Sequence, residues 1–186
     1  GRAPPFFFLK PTDSLVVVDA GQTGTMPYPS LTQNLHHEIE LVVAIGKGGR
    51  NISAANAAQH IYGYAVGLDM TRRDLQLVAR DKGRPWDLGK DVENSSVCSE
   101  IVPMQGHIID SGAIALEVNG ATKQSSDVDK LIWNVREIIA DLSLFYHLQA
   151  GDLIYTGTPE GVAAVVAGDV LTGHVAGLGS LSVKIA

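Results

Sequence analysis

The sequence predicts one α+β domain of mainly β character, on three observations. Apolar runs of four to eight residues recur along the chain, separated by Gly, Pro and Asn punctuation. Helical periodicity is confined to a few segments, of which only the one near residues 126–145 is long. No repeat, low-complexity tract or linker divides the 186 residues, a length that buries a proper core within one domain.

In chain order, Leu15–Val18 is the first strand expected, because its β-branched residues suit a pleated surface. Ile39–Ile45 follows and reads as a buried strand. Gly46-Lys47-Gly48-Gly49 reads as a hairpin turn, since glycine tolerates positive φ. It has no Walker pattern and opens no capped helix, which argues against a phosphate cradle. Ser53 is placed to cap a helix over Ala54–Ile61. Tyr64–Leu68 is the next strand and ends on Asp69. Thr71 then caps a short helix running toward Ala79 or Arg80. Ile114–Val118 is a strand closed by the turn Asn119-Gly120. The longest helix is expected from Ser126 or Asp127, with Leu131, Ile132, Val135, Ile138, Ile139, Leu142 and Phe145 in one apolar stripe. Asp152–Tyr155 and Leu181–Ile185 complete the strands.

Hydrophobic residues make up 45% of the chain and charged residues 18%, the balance of an ordinary soluble globule. A net charge of −6 and a pI near 5.4 argue against nucleic acid as a partner. They leave room for a small anionic substrate, because a local metal ion overrides the global field. The single cysteine, Cys98, excludes an internal disulfide and fits a reducing cytoplasm. Its plain reading is a buried free thiol. No apolar run approaches the roughly 20 residues of a membrane-spanning helix, and no signal-peptide pattern opens the chain, so no membrane partner is expected.

The chemistry concentrates around Glu38 and Glu40, which lie at alternate positions of an apolar strand and so point to one side. Two carboxylates that close in a low-dielectric setting need a shared proton or a cation between them. Asp69, at the end of the next apolar run, brings a third carboxylate within reach. Three oxygen ligands without a thiolate suit Mg2+ or Mn2+. His36 shares the strand face, so His36, Glu38 and Glu40 form an alternative nitrogen-and-oxygen set for zinc or iron. Asp69 as third ligand would instead keep the set hard.

Taken singly, Arg73 reads as a surface ion-pair residue, Lys90 as a solvated loop lysine and Thr156 as a turn residue. In order they form part of a longer pattern. Lys10-Pro11, Asn34-Leu35-His36-His37-Glu38-Ile39-Glu40-Leu41, Gly63-Tyr64 through Gln76, Lys82-Gly83-Arg84-Pro85-Trp86, Gly89-Lys90 and Thr156-Gly157-Thr158-Pro159-Glu160-Gly161-Val162 span nearly the whole chain. With this spacing the chain resembles the fumarylacetoacetate hydrolase family, above all its bacterial fumarylpyruvate and acylpyruvate hydrolases. The resemblance implies a rolled, mixed β-sheet fold with a few short helices, one catalytic domain over residues 1–186, and a homodimer. It implies a Mg2+ or Mn2+ ion held by Glu38, Glu40 and Asp69. Arg73, Gln76, Lys90 and Thr156 would face a small anionic keto-acid substrate, with Lys90 catalytic. The implied reaction is hydrolysis of a carbon–carbon bond in fumarylpyruvate or a related acylpyruvate, through a metal-stabilised pyruvate enolate, as used in aromatic catabolism.

Two departures from the family pattern carry expectations. Asp91 follows Lys90 where the family usually has a small residue and then Phe, and a carboxylate there would pair with the lysine and hold it charged. The family also carries an upstream lid helix with a His and a Glu that activate water, and no residue before Lys10-Pro11 supplies that pair. Two other outcomes share the ion site: oxaloacetate decarboxylation or hydroxy-diacid isomerisation, and a non-catalytic protein that binds metal and ligand.

Overall fold

The computed structural model describes all 186 residues, Gly1 to Ala186. Its strands are β1 (Leu15–Val18), β2 (Thr23–Met26), β3 (Leu35–His36), β4 (Ile39–Ile45), β5 (Ile61–Asp69), β6 (Thr71–Arg72) and β7 (Ser96–Ser99). β8 (Val102–Pro103), β9 (Ala113–Val118), β10 (Ala121–Asp127), β11 (Leu153–Tyr155), β12 (Ala164–Val165), β13 (Val170–Val175) and β14 (Gly179–Ile185) complete them. The helices are α1 (Arg73–Asp81), α2 (Asp87–Lys90) and α3 (Val135–Phe145).

The strands form one sheet ordered β1-β7-β5-β4-β11, with β8 beside β5, and a second ordered β10-β9-β13-β14-β2. A small third sheet, β12-β3-β6, lies at the start of β4. The sheets are mixed: β1 runs parallel to β7 and β14 parallel to β2, whereas β4 and β5 are antiparallel. Ile39, Leu41 and Val43 of β4 and Tyr64, Val66 and Leu68 of β5 meet Leu116, Leu171 and Leu181 of the second sheet in one core. Val42, Ala65 and Cys98 form a smaller cluster, packed by Leu15, Leu153 and Tyr155. β4 is thus buried along its whole length, which is why its sequence reads as a nearly unbroken apolar run. Glu40 occupies the face of β4 that carries Val42, on the side away from the main core.

The expected fold class holds, and several local expectations are corrected. Gly46-Lys47-Gly48-Gly49 does not close a hairpin. Instead it opens a longer connection that returns when the Gly46 and Lys47 N–H groups donate to the His60 carbonyl at 2.8 and 3.2 Å. The segment Ala54–Ile61 holds only a 3₁₀ turn, Ala57–His60, with no side-chain cap, and Ile61 already belongs to β5. Ser126 and Asp127 end a strand, and Asp127 caps only the 3₁₀ turn Val128–Lys130. The long helix α3 starts later, where Asn134 and Glu137 form a reciprocal capping box. The Asn119-Gly120 turn is as expected: both residues have positive φ, 52° and 77°, and join β9 to β10.

Candidate metal centre

The site grows from the pairing of β4 with β5. Glu40 stands opposite Gly67 and Ile39 opposite Leu68, and the Asp69 N–H donates to the Glu38 carbonyl at 2.9 Å. Glu38 lies one residue before β4 rather than within it. The ladder therefore delivers the start of one strand and the end of its neighbour to one place. Glu38, Glu40 and Asp69 there offer carboxylate oxygens that all lie within 4.8 Å of one another. All three side chains are buried.

Such a cluster is tolerable only with cations or a bound proton to offset its charge. Lys90 Nζ donates to Glu38 Oε2 at 2.8 Å, to Asp69 Oδ2 at 2.6 Å and to Thr71 Oγ1 at 2.8 Å. Lys10 Nζ donates to Asp69 Oδ1 at 2.8 Å and to the carbonyls of Lys90 at 2.7 Å and Met70 at 3.3 Å. The Arg73 guanidinium pairs with Glu38 and donates to Gln76 Oε1. Glu40 differs: its carboxylate has no ion pair and accepts the Gly157 N–H at 2.7 Å.

The charge states follow. Burial, reinforced by Asp69 and Glu38, pushes the Glu40 carboxyl well above its ordinary value. Burial acts the same way on Asp69, but Lys10 and Lys90 outweigh it and hold this carboxyl below the usual range. Burial also works against the Lys90 charge, yet Asp69 and Glu38 prevail and raise its pKa. Lys10, with Asp69 as its one carboxylate partner, is lowered by burial.

Each remaining candidate has a definite place. Arg73 and Gln76 sit in the first turns of α1, whose start is tied down when Asp74 accepts from Thr32 Oγ1 at 2.7 Å and from the Gln33 N–H at 3.1 Å. Thr71 does not cap α1: its hydroxyl donates to the Asp69 carbonyl at 3.2 Å and accepts from Lys90. Lys90 ends α2, which presses against α1 at Gly89; an added Cβ there would lie 2.7 Å from Gln76 Cβ. Phe8 covers Lys90, its ring centroid 4.9 Å from Nζ, and leans on Trp86. Thr156 is buried, and its hydroxyl donates to the Leu41 carbonyl at 2.8 Å, so it turns toward β4.

One expectation, the Asp91–Lys90 pair, and one alternative, His36 as a ligand, fail here. Asp91 is exposed and does not pair with Lys90, whose Nζ hydrogen bonds go to Glu38, Asp69 and Thr71. His36 is not part of the carboxylate cluster. Its Nε2 is 2.9 Å from Asn34 Oδ1 and its Nδ1 accepts from Arg73 Nε at 3.4 Å. Burial, aided by the Arg73 charge, takes its pKa down to about 4. Sequence reasoning gave no role to Lys10 or to the Gly157 N–H. A lone lysine after the apolar run Phe6-Phe7-Phe8-Leu9 was the available sign of the former.

The donor set fits a hard divalent cation. It offers three buried carboxylates, and Glu40 has no cationic partner of its own. Fold and site together have the character of an enzyme whose centre is built from buried carboxylates on a rolled β framework. The chain belongs to the fumarylacetoacetate hydrolase family: residues 2–186 match the family described as Fumarylacetoacetate (FAA) hydrolase C-terminal. A fumarylpyruvate hydrolase of Ralstonia sp is 67% identical over 180 residues, covering 97% of this chain and 92% of that protein. The crystal structure of a fumarylpyruvate hydrolase from Pseudomonas aeruginosa, in complex with Mn2+ and pyruvate, superposes with a TM-score of 0.97. Its sequence is 52% identical, and the match covers 100% of this chain and 80% of that one. The mitochondrial oxaloacetate decarboxylase of Dictyostelium discoideum is 38% identical, over 94% of this chain and 79% of that protein.

Proposed function

We propose that residues 1–186 form one catalytic domain that hydrolyses a carbon–carbon bond in fumarylpyruvate or a closely related acylpyruvate. Glu38, Glu40 and Asp69 would hold a Mg2+ or Mn2+ ion, which when bound supplies Lewis acidity for the developing enolate. The observation that carries the reading is the convergence of these carboxylates beside Lys90, in a chain 67% identical to a fumarylpyruvate hydrolase.

The protein's own groups fit this task. Three carboxylates face the three cations Lys10, Lys90 and Arg73, so the pocket is neutral by formal charge. A divalent ion makes it doubly positive, which matches the two carboxylates of fumarylpyruvate. Water adds to the distal carbonyl, the carbon–carbon bond breaks, and its electron pair stays with the pyruvate half as an enolate. Lys90 sets a buried positive charge where that negative charge develops, and its Nζ holds a proton for the carbanion carbon. Arg73 and Gln76, mutually hydrogen bonded on α1, form a donor pair that orients the keto acid. Thr156 immediately precedes Gly157, whose N–H holds the Glu40 carboxylate, and would face the substrate from that side. The family resemblance supports a homodimer, and the buried free thiol of Cys98 supports a cytoplasmic setting.

The test is pyruvate release from fumarylpyruvate by metal-stripped protein with and without added Mn2+ or Mg2+. Equal amounts of pyruvate and fumarate, appearing only with metal, are expected. Turnover indifferent to chelation, or no pyruvate with either ion, would overturn the reading. The Dictyostelium relative favours a second outcome on the same residues, decarboxylation of oxaloacetate. A higher kcat/KM for oxaloacetate than for fumarylpyruvate would select it.

A further inference from the structure

Gln124 belongs to β10 in the second sheet, at the point where its register with β9 shifts. It is 1% exposed, yet every valence of its amide is used. Oε1 accepts from the Ile39 N–H at 3.2 Å and lies 2.8 Å from His37 Nδ1. Nε2 donates to Thr158 Oγ1 at 2.8 Å and to the Pro159 carbonyl at 2.9 Å. The reverse orientation would aim Nε2 at the Ile39 N–H and Oε1 at the Pro159 carbonyl, so the network fixes the amide. It also fixes the imidazole. With Oε1 already an acceptor, His37 must carry its proton on Nδ1, and its buried Nε2 is left without a partner.

The groups this amide holds flank the candidate metal ligands. His37 and Ile39 are the residues on either side of Glu38. Thr158 and Pro159 follow Gly157, whose N–H holds Glu40. One side chain from the opposite sheet therefore sets the spacing between the segment carrying Glu38 and the segment anchoring Glu40. We infer that Gln124 is a positioning residue for the metal site, fixing Glu38 against Glu40 through the His37–Ile39 and Thr158–Pro159 segments. This rests on the reading that those carboxylates hold a divalent ion. Groups that orient metal ligands from behind are typically worth about 10–100-fold in metal affinity.

The test measures Mn2+ affinity of metal-stripped protein by the electron paramagnetic resonance signal of free Mn2+, beside the ¹⁵N signals of the His37 imidazole. Gln124→Met should weaken Mn2+ binding about 10–100-fold and release His37 from its single tautomer. Gln124→Glu keeps the acceptor toward His37 and Ile39, loses the donors to Thr158 and Pro159, and should fall between. It also supplies the answer if the Met variant does not fold. Ser143→Ala is the control for general loosening, since Ser143 Oγ accepts from the Ile52 N–H at 2.9 Å far from this network. It should lower the melting temperature without moving Mn2+ affinity. Wild-type affinity in both Gln124 variants, or an equal loss in Ser143→Ala, would overturn the inference while leaving the metal reading intact. A wild-type protein that takes up no Mn2+ would overturn the metal reading itself.

Discussion

The Lys90 ammonium stands 2.6 Å from the Asp69 carboxylate, with each side chain 2% exposed. Nζ also reaches Glu38, so it occupies ground that any bound cation must share. Lys90→Met should remove this competitor together with the positive charge proposed to act in turnover. Mn2+ affinity should be kept or increased, while kcat falls about 100-fold or more. A parallel loss of affinity and kcat, measured by titration and by steady-state rates, would instead make Lys90 a support for the ligands.

Glu40→Gln should separate folding from ion binding in the opposite sense. The amide oxygen still accepts the Gly157 N–H, and the repulsion from Asp69 and Glu38 disappears. The metal-free variant should melt at or above the wild-type temperature, by about 2–4 °C per kcal/mol gained. Mn2+ should no longer raise that temperature, and metal-dependent turnover should vanish.

Asp91→Ala should change little. The side chain is exposed and does not pair with Lys90, so kinetics on fumarylpyruvate and oxaloacetate should match wild type within about twofold. A clear shift in substrate preference would require a contact that the protein makes only with substrate bound.

Gly89→Ala tests the contact that seats Lys90. The new methyl would meet Gln76 Cβ at 2.7 Å and Gln76 N at 2.8 Å, so α2 must lift from α1. Overpacking of this kind costs about 1–3 kcal/mol. Because Lys90 is the next residue, kcat/KM should drop by more than the fall in melting temperature suggests. Unchanged kinetics alongside a lowered melting temperature would show that α2 can move without disturbing the site.

Alkaline stability should carry a signature of Cys98. Burial raises its thiol from an ordinary value of 9.0 to about 11, so the folded state favours the neutral form. The stability this contributes is complete below pH 9 and is lost as pH rises toward 11, because the unfolded chain releases its proton first. Cys98→Ala should flatten the fall of melting temperature across that window. Curves of the same shape for both proteins would assign the alkaline loss elsewhere.

Much of this was legible in the chain, for reasons that differ by element. β4 matches its apolar run, Ile39–Ile45, residue for residue, because both its faces are buried and nothing polar but Glu40 interrupts it. Glu38, Glu40 and Asp69 stood out because carboxylates among apolar residues demand compensation. β10 was not visible: six of its seven residues are not buried and the seventh is the polar Gln124, so no apolar alternation marks it. The start of α3 was misplaced because the apolar stripe extends N-terminal to the capping box, which Asn134 and Glu137 spell out in sequence. The roles of Lys10 and Gln124 were hidden for another reason. Their partners Asp69 and His37 lie 59 and 87 residues away, and only the completed sheets bring them together.

Lys10, Lys90 and Arg73 give the pocket a set of internal counterions, one consequence of which concerns how the molecule comes into being. A domain whose ligand cluster is neutralised only by metal cannot close until the metal arrives, and a chelator unfolds it. Here the ladder between β4 and β5 can close on ammonium and guanidinium groups alone. On the proposed reading of the site, folding and metal uptake would then be separable: the chain would reach its final shape without metal, and an ion would bind to a protein already folded. Scarcity of the metal would leave an idle but intact protein, ready to be switched on without refolding.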